Sequence, residues 1–166
     1  MARYSAVSPV YARMWDAMVV KPGRQGEFDD LARYALSHKA DYQAVEAATG
    51  VPWAMIAVIH RREGDADFKT YLGNGQSLHM RTTEVPKGRG PFPDFLSGAI
   101  DALQVDGLTD VKDWRLEKQL FWMTGFNGWA TVYGMASPYI WGGTNQQKRG
   151  KYIRDHVYNP FFWDPQ

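Results

Sequence analysis

A single glutamate in this 166-residue chain lies where acid catalysis could occur. Glu63 follows an apolar run at residues 52 to about 62, which predicts a helix because it begins with proline and repeats apolar residues on one face, and we expect Gly64 to end it. A carboxyl group in the last turn is opposed by the helix dipole, and at the edge of an apolar core it also loses hydration. Both effects raise the pKa of a carboxyl group, as a general acid at neutral pH requires. We therefore predict that Glu63 is a general acid, the alternative being a solvated residue paired with Arg61 or Arg62.

Polar residues that follow this glutamate offer a second catalytic group. A general acid often works beside a second group that holds water or stabilises charge in the transition state, and a second carboxylate can serve in this role. Asp65, Asp67 and Glu84 could supply one, although an Asp just beyond a helix also caps turns. Thr82 and Thr83 could instead position water, or be ordinary strand residues.

The elements that would position these residues are mostly helical. One β-compatible region, from Phe68 to Thr83, has short runs on either side of Asn74-Gly75 and predicts a small antiparallel hairpin. The predicted fold class is therefore α+β, mostly helical with one small antiparallel β-hairpin, in a single domain over residues 1–166 with the helices of residues 1–50 packed on it and no separate binding domain. The predicted helices cover residues 8–19, 27–38, 39–49, 52–62, 93–103, 111–123, a short stretch to 135, and 151–156.

Composition excludes several classes of function. The net charge is +1 with basic residues spread along the chain, so no nucleic-acid partner is predicted. The absence of cysteine and the scattered positions of four histidines predict neither a metal site nor a cofactor. The N-terminal residues are too polar for a secretory signal, and no window is long and apolar enough to predict membrane insertion.

The order of five motifs resembles the bacterial and phage "lysozyme family" muramidases, which are related to goose-type lysozymes and soluble lytic transglycosylases. The resemblance extends from about residue 40 to residue 155 and rests on VPWAMIAVIHRREGDADF, YLGNGQSL, TTEVPKGRGPF, GFNGW and SPYIWGGTNQQKRGKYIRD. It implies a lysozyme-like fold in which Glu63 ends a buried helix and faces a small sheet across a cleft. Two departures are Gly64, where family members often have Ser, and the absence of the Gly-Leu-Met-Gln element of transglycosylases, which favours hydrolysis.

The same resemblance implies roles for further residues. Thr83 and Asp67 join Glu63 as catalytic candidates. Asn127 in GFNGW could bind the substrate or be a turn residue, and Tyr139 and Trp141 in SPYIW could stack on sugar rings or pack in the core. The predicted substrate-binding residues are Asn74, Thr82, Asn127, Tyr139 and Trp141.

The predicted function is that of a peptidoglycan hydrolase that cuts between N-acetylmuramic acid and N-acetylglucosamine. The alternatives are a lytic transglycosylase or chitinase, and a non-catalytic cell-wall-binding or particle structural protein. We expect a monomer that is made in the cytoplasm, binds glycan strands, and reaches the wall through holin-dependent release, a phage virion or a gene transfer particle.

Overall fold

Helices dominate the computed structural model, which describes residues 4–126, 138–154, 157–159 and 161. None of the helices in these ranges is long and apolar enough to cross a membrane. The α-helices are α1 (Tyr4–Asp16), α2 (Gln25–Ser37), α3 (Lys39–Thr49), α4 (Trp53–Gly64), α5 (Phe95–Val105), α6 (Leu116–Phe126) and α7 (Pro138–Trp141), with a 3-10 helix at Leu108–Asp110 and strands β1 (Lys151–Arg154) and β2 (Val157–Asn159).

The chain packs as two compact units. The central unit is Ala32–Trp114, and the terminal unit combines Met1–Leu31 with Arg115–Gln166. Glu63 and the polar candidates from Asp65 to Glu84 belong to the central unit, which therefore contains the candidate site.

Helices α3, α4 and α5 form the core of the central unit. Helix α3 ends where the sequence predicts, at Gly50, whose φ of 76° lets its N–H donate to the carbonyl of Glu46. Helix α5 begins because the side chain of Asp94 accepts a hydrogen bond from the N–H of Ser97, 2.8 Å away. The fully buried side chains between these helices include Tyr42, Val45, Met55, Ile56, Ile59, His60, Ala99 and Leu103.

In the terminal unit, α6 packs against α1 and α7. The hydroxyls of Tyr11 on α1 and Thr124 on α6 lie 2.7 Å apart and are buried. The prediction of a helix at residues 151–156 is wrong, because Lys151–Arg154 is a strand that pairs antiparallel with Val157–Asn159. A helix of six residues is marginal in water, whereas aromatic and β-branched residues favour a paired strand.

The α+β prediction is also wrong, since the structure is mostly helical and contains no hairpin at residues 68–83. This segment forms turns, with one isolated antiparallel bridge between Thr70 and Ser77. Two backbone hydrogen bonds flank this bridge, from Tyr71 to Gln76 and from Leu78 to Lys69, and beyond it the side chain of Gln76 accepts from the N–H groups of Thr83 and Glu84. Side-chain bonds to the backbone compete with regular secondary structure in this way.

Candidate functional site

Glu63 lies in the last turn of α4, as the sequence predicts, and is half-buried. The helix begins after Pro52, and its buried face carries Met55, Ile56 and Ile59 into the core of the central unit. Arg61 pairs with Asp65 on the exposed surface. The packed face of α4 therefore fixes the backbone from which the Glu63 carboxyl group projects.

Two residues after Glu63 have left-handed backbone conformations. Asp65 has a φ of 53° and Ala66 a φ of 58°, whereas Gly64, the expected left-handed residue, is the last helical residue. Each non-glycine residue in this conformation costs about 1–2 kcal/mol. Strained backbone of this kind persists where surrounding contacts hold it, and it clusters at functional sites.

Hydrogen bonds hold this turn in place. The N–H of Ala66 donates to the carbonyl of His60 at 3.1 Å, and the N–H of Asp67 donates to the carbonyl of Gly64 at 2.9 Å. The hydroxyl of Tyr34 donates to the carbonyl of Ala66 at 2.8 Å. These contacts make the strained conformation the fixed continuation of α4.

A buried histidine, His60, links the turn after Glu63 to the core. Nε2 of His60 lies 3.1 Å from the carbonyl oxygen of Asp67, and its Nδ1 lies 3.0 Å from the hydroxyl of Tyr42. Because a carbonyl can only accept, Nε2 carries the proton and Nδ1 accepts from Tyr42. Burial lowers the pKa of His60, and the positive charge of nearby His38 lowers it further. The hydrogen bond to the carbonyl of Asp67 and the carboxylate of Asp67 raise it by less, so the ring is neutral in the fold at neutral pH.

The turn at residues 73–76 lies directly against the end of α4. Gly75 has a φ of 72°, and a Cβ atom at this position would overlap the carbonyl oxygen of Glu63. Gly64 is equally confined, because its Cβ would overlap Oγ1 of Thr70. A side chain at position 64 therefore has no room unless Thr70 moves.

Gln76 joins this turn to the candidate threonine. Its Oε1 accepts from the N–H of Thr83 at 2.8 Å and from the N–H of Glu84 at 3.2 Å, while its Nε2 donates to Oγ1 of Thr83 at 2.9 Å. Asn74 adds a second connection, since its Nδ2 lies 3.2 Å from the carbonyl of Glu84 and 3.4 Å from that of Val85. The segment containing Thr83 is thus held to the turn that packs on Glu63.

Thr82 has a different environment from its neighbour. It is buried, and its hydroxyl donates to the carbonyl of Pro86 at 2.5 Å and accepts from the N–H of Arg89 at 3.0 Å. Arg89 in turn pairs with Asp101 on α5, which also accepts from the hydroxyl of Tyr71 at 2.9 Å. The hydrogen bond from Arg89 lowers the pKa of Asp101, so the pair stays charged and holds this loop to the helix.

The predicted polar residues of the central unit lie on segments that hydrogen bonds join to one another. Several of these residues, however, make hydrogen bonds that serve the fold. Asp67 is exposed, and its carboxylate accepts from the N–H of Lys69 at 2.9 Å, which is the turn-capping alternative. Asn74 and Thr82 hold loops together, whereas Thr83 is exposed. Thr83 is therefore the hydroxyl of this loop best placed to meet a ligand.

The aromatic candidates belong to the terminal unit. Trp141 is buried beside Tyr11, with ring centroids 6.2 Å apart, which favours its packing role, while Tyr139 is half-buried. Asn127 lies outside the described residues. Within the described ranges, no group of three or more His, Asp or Glu side chains could hold a metal ion.

Sequence reasoning missed two residues that organise this site, Gln76 and His60. The bonds of Gln76 to Thr83 cross seven residues of chain, and only its place beside the Asn-Gly turn gave a signal. His60 sits within HRRE, where it reads as part of a charged helix end, yet it is fully buried. Together the residues could offer a carboxyl group and a hydroxyl from segments fixed to each other through the 73–76 turn.

Comparisons with known proteins identify no relative. The chain matches no protein family model, and no curated protein or solved structure matches it.

Proposed function

We propose that this protein hydrolyses the glycosidic bond between N-acetylmuramic acid and N-acetylglucosamine in peptidoglycan, with Glu63 as the general acid. The observation that carries the proposal is the position of Glu63. It is half-buried in the last turn of a core helix, and Gly75 packs against its carbonyl oxygen. Motif order supports the choice of substrate, since the motifs around both residues resemble those of muramidases.

The residues suit the chemistry of this reaction. Glu63 would donate its proton to the glycosidic oxygen as the bond to the anomeric carbon breaks. A water molecule held by the Thr83 hydroxyl would then add its oxygen to that carbon and return a proton to Glu63. Asp67 is the other candidate for the second group, with its carboxylate already accepting one backbone N–H.

Replacement of the acid tests the proposal. Glu63→Gln should abolish digestion of purified cell wall while the protein stays folded, because glutamine has nearly the same shape and cannot donate a proton as an acid does. Its melting temperature should be unchanged or slightly higher, since the change removes a carboxylate from a helix C-terminus. The matched control is Glu46→Gln, because Glu46 is a half-buried glutamate near the C-terminal end of α3 in the same unit.

Mass spectrometry of the digest identifies the reaction. Reducing N-acetylmuramic acid ends support hydrolysis, whereas 1,6-anhydro ends indicate a transglycosylase. Chitin fragments with an intact wall would indicate a chitinase, and no fragments from either substrate would indicate a binding protein. Full wall digestion by the Glu63→Gln variant would remove Glu63 from the mechanism.

A further inference from the structure

Gln76 makes an unusual set of contacts for a half-buried side chain. One amide group makes three hydrogen bonds to two consecutive residues, Thr83 and Glu84. Two of the partners are backbone N–H groups, which can only donate, so the oxygen of the amide must face them. The nitrogen then faces Oγ1 of Thr83 and donates to it.

This orientation fixes the state of the threonine hydroxyl. Because Oγ1 of Thr83 accepts from Nε2 of Gln76, the hydroxyl proton cannot point along that bond and is available to another acceptor. Thr83 is exposed, so a water or sugar oxygen could be that acceptor. Thr82 cannot replace it, because both functions of its buried hydroxyl are used within the loop.

The backbone around Gln76 is fixed to the end of α4. Its carbonyl accepts from the N–H of Tyr71 at 2.7 Å, and its N–H donates to Oδ1 of Asn74 at 3.2 Å. The preceding residue, Gly75, packs against the carbonyl of Glu63 with no room for a side chain. Two consecutive residues, Gly75 and Gln76, therefore make the contact with Glu63 and the contact with Thr83.

We propose that Gln76 is a positioning residue that orients the Thr83 hydroxyl for the reaction of Glu63. This inference rests on the proposed function. Gln76 would act on the reaction through the Thr83 hydroxyl, so its effect should appear in kcat with KM unchanged.

Gln76→Glu separates this role from loop anchoring. A carboxylate can still accept from both backbone N–H groups, but its second oxygen cannot donate, so the Thr83 hydroxyl must turn its proton inward. We expect a kcat at least about tenfold lower on soluble glycan, within the range of misplaced catalytic groups, and a far-ultraviolet spectrum like that of the unchanged protein. Gln43→Glu, at an exposed position of α3, controls for the added charge and should leave kcat unchanged.

A double-mutant cycle with Thr83→Val decides whether Gln76 acts through Thr83. If it does, Gln76→Glu should lower kcat in the unchanged chain and have little further effect once the hydroxyl is gone. Equal effects in both backgrounds, or a normal kcat for Gln76→Glu, would overturn the inference while loss of activity in Glu63→Gln left the proposed function intact. Full activity of Glu63→Gln would instead remove the proposed function on which the inference rests.

Discussion

The buried contact between Tyr42 and His60 gives the most direct energetic test of how the end of α4 is held. Tyr42→Phe removes one hydroxyl and keeps the ring, which contacts Phe68 and Phe95 at centroid distances of 5.5 and 6.3 Å. The loss leaves Nδ1 of His60 without its donor in a site where the ring has no exposure. An unsatisfied buried acceptor costs about 1–3 kcal/mol, which is roughly a fivefold to 150-fold increase in the unfolding equilibrium constant.

Urea denaturation at pH 8 measures this difference. The slope of free energy against urea should stay constant while the midpoint falls, because the change removes a contact without altering the folded surface. Tyr34→Phe is the matched control, since the hydroxyl of Tyr34 also bonds to this turn but its side chain is partly exposed and water can replace it. If Tyr42→Phe cost no more than Tyr34→Phe, the hydrogen-bond chain through His60 would not support the turn.

The pH dependence of stability tests the protonation state of His60. Its folded pKa is lowered by burial, so the unfolded chain takes up a proton near its ordinary value of about 6.5 while the folded chain does not. The stabilisation from neutral His60 is therefore complete above about pH 6.5 and is lost as the pH falls through the lower folded pKa. The stability difference between the unchanged protein and His60→Gln should shrink over that window. A difference that is constant from pH 8 to pH 5 would contradict a buried neutral histidine.

Two glycines near Glu63 give further predictions. Gly75→Ala should destabilise the protein by about 2–5 kcal/mol in urea titrations, because alanine must adopt the left-handed backbone and also overlaps Glu63. Gly107→Ala is the control, since Gly107 has a φ of 70° with open space around it, and it should cost about 1–2 kcal/mol. Equal costs for the two variants would rule out the overlap. Gly64→Ala should destabilise by about 1–3 kcal/mol in the unchanged chain. In a Thr70→Ala chain the same change should become stabilising by up to about 1 kcal/mol, because alanine favours the helix once the overlap is gone, and a cost that persists would show that Thr70 is not the obstacle.

Helices were predictable because their signals are local. Periodic apolar residues and end signals gave α3 its bounds of Lys39–Thr49, and α4 lies within two residues of its predicted ends. The bounds of two other helices differ from the prediction, since α1 begins at Tyr4 rather than at residue 8 and α6 begins at Leu116 rather than at residue 111. The predictions of the wrong kind of element, at residues 68–83 and 151–156, concern short segments without such periodicity. Partners elsewhere in the chain decide their structure, and a partner such as β2 for the segment at residues 151–154 is not visible in local spacing.

In the candidate site, too, local signals predicted one part and contacts distant in sequence decided the rest. The position of Glu63 followed from α4, because a helix end is a local property of the sequence. Its surroundings did not, since the left-handed conformation fell on Asp65 and Ala66 rather than on the glycine before them. Hydrogen bonds to the carbonyls of Ala66 and Asp67, from Tyr34 and His60, stabilise that conformation against its local preference. No pattern within the turn itself encodes those partners.

Side-chain hydrogen bonds hold the segments of this candidate site together, whereas in a site lined by strands the backbone hydrogen bonds of a sheet would do so. A strand ladder would fix the segment at residues 82–85 through regular backbone bonds, but here Gln76 and Asn74 from the 73–76 turn hold residues 83–85, next to the hydrogen bonds that Thr82 makes within its own loop. Such an anchor depends on single residues, so one substitution can change how a hydroxyl is presented without removing an element of the fold. A ladder distributes the same task over many backbone groups and tolerates the loss of any one side chain. The segment that carries Thr83 should therefore be more sensitive to changes at Gln76 and Asn74 than to changes in the exposed residues of its own loop.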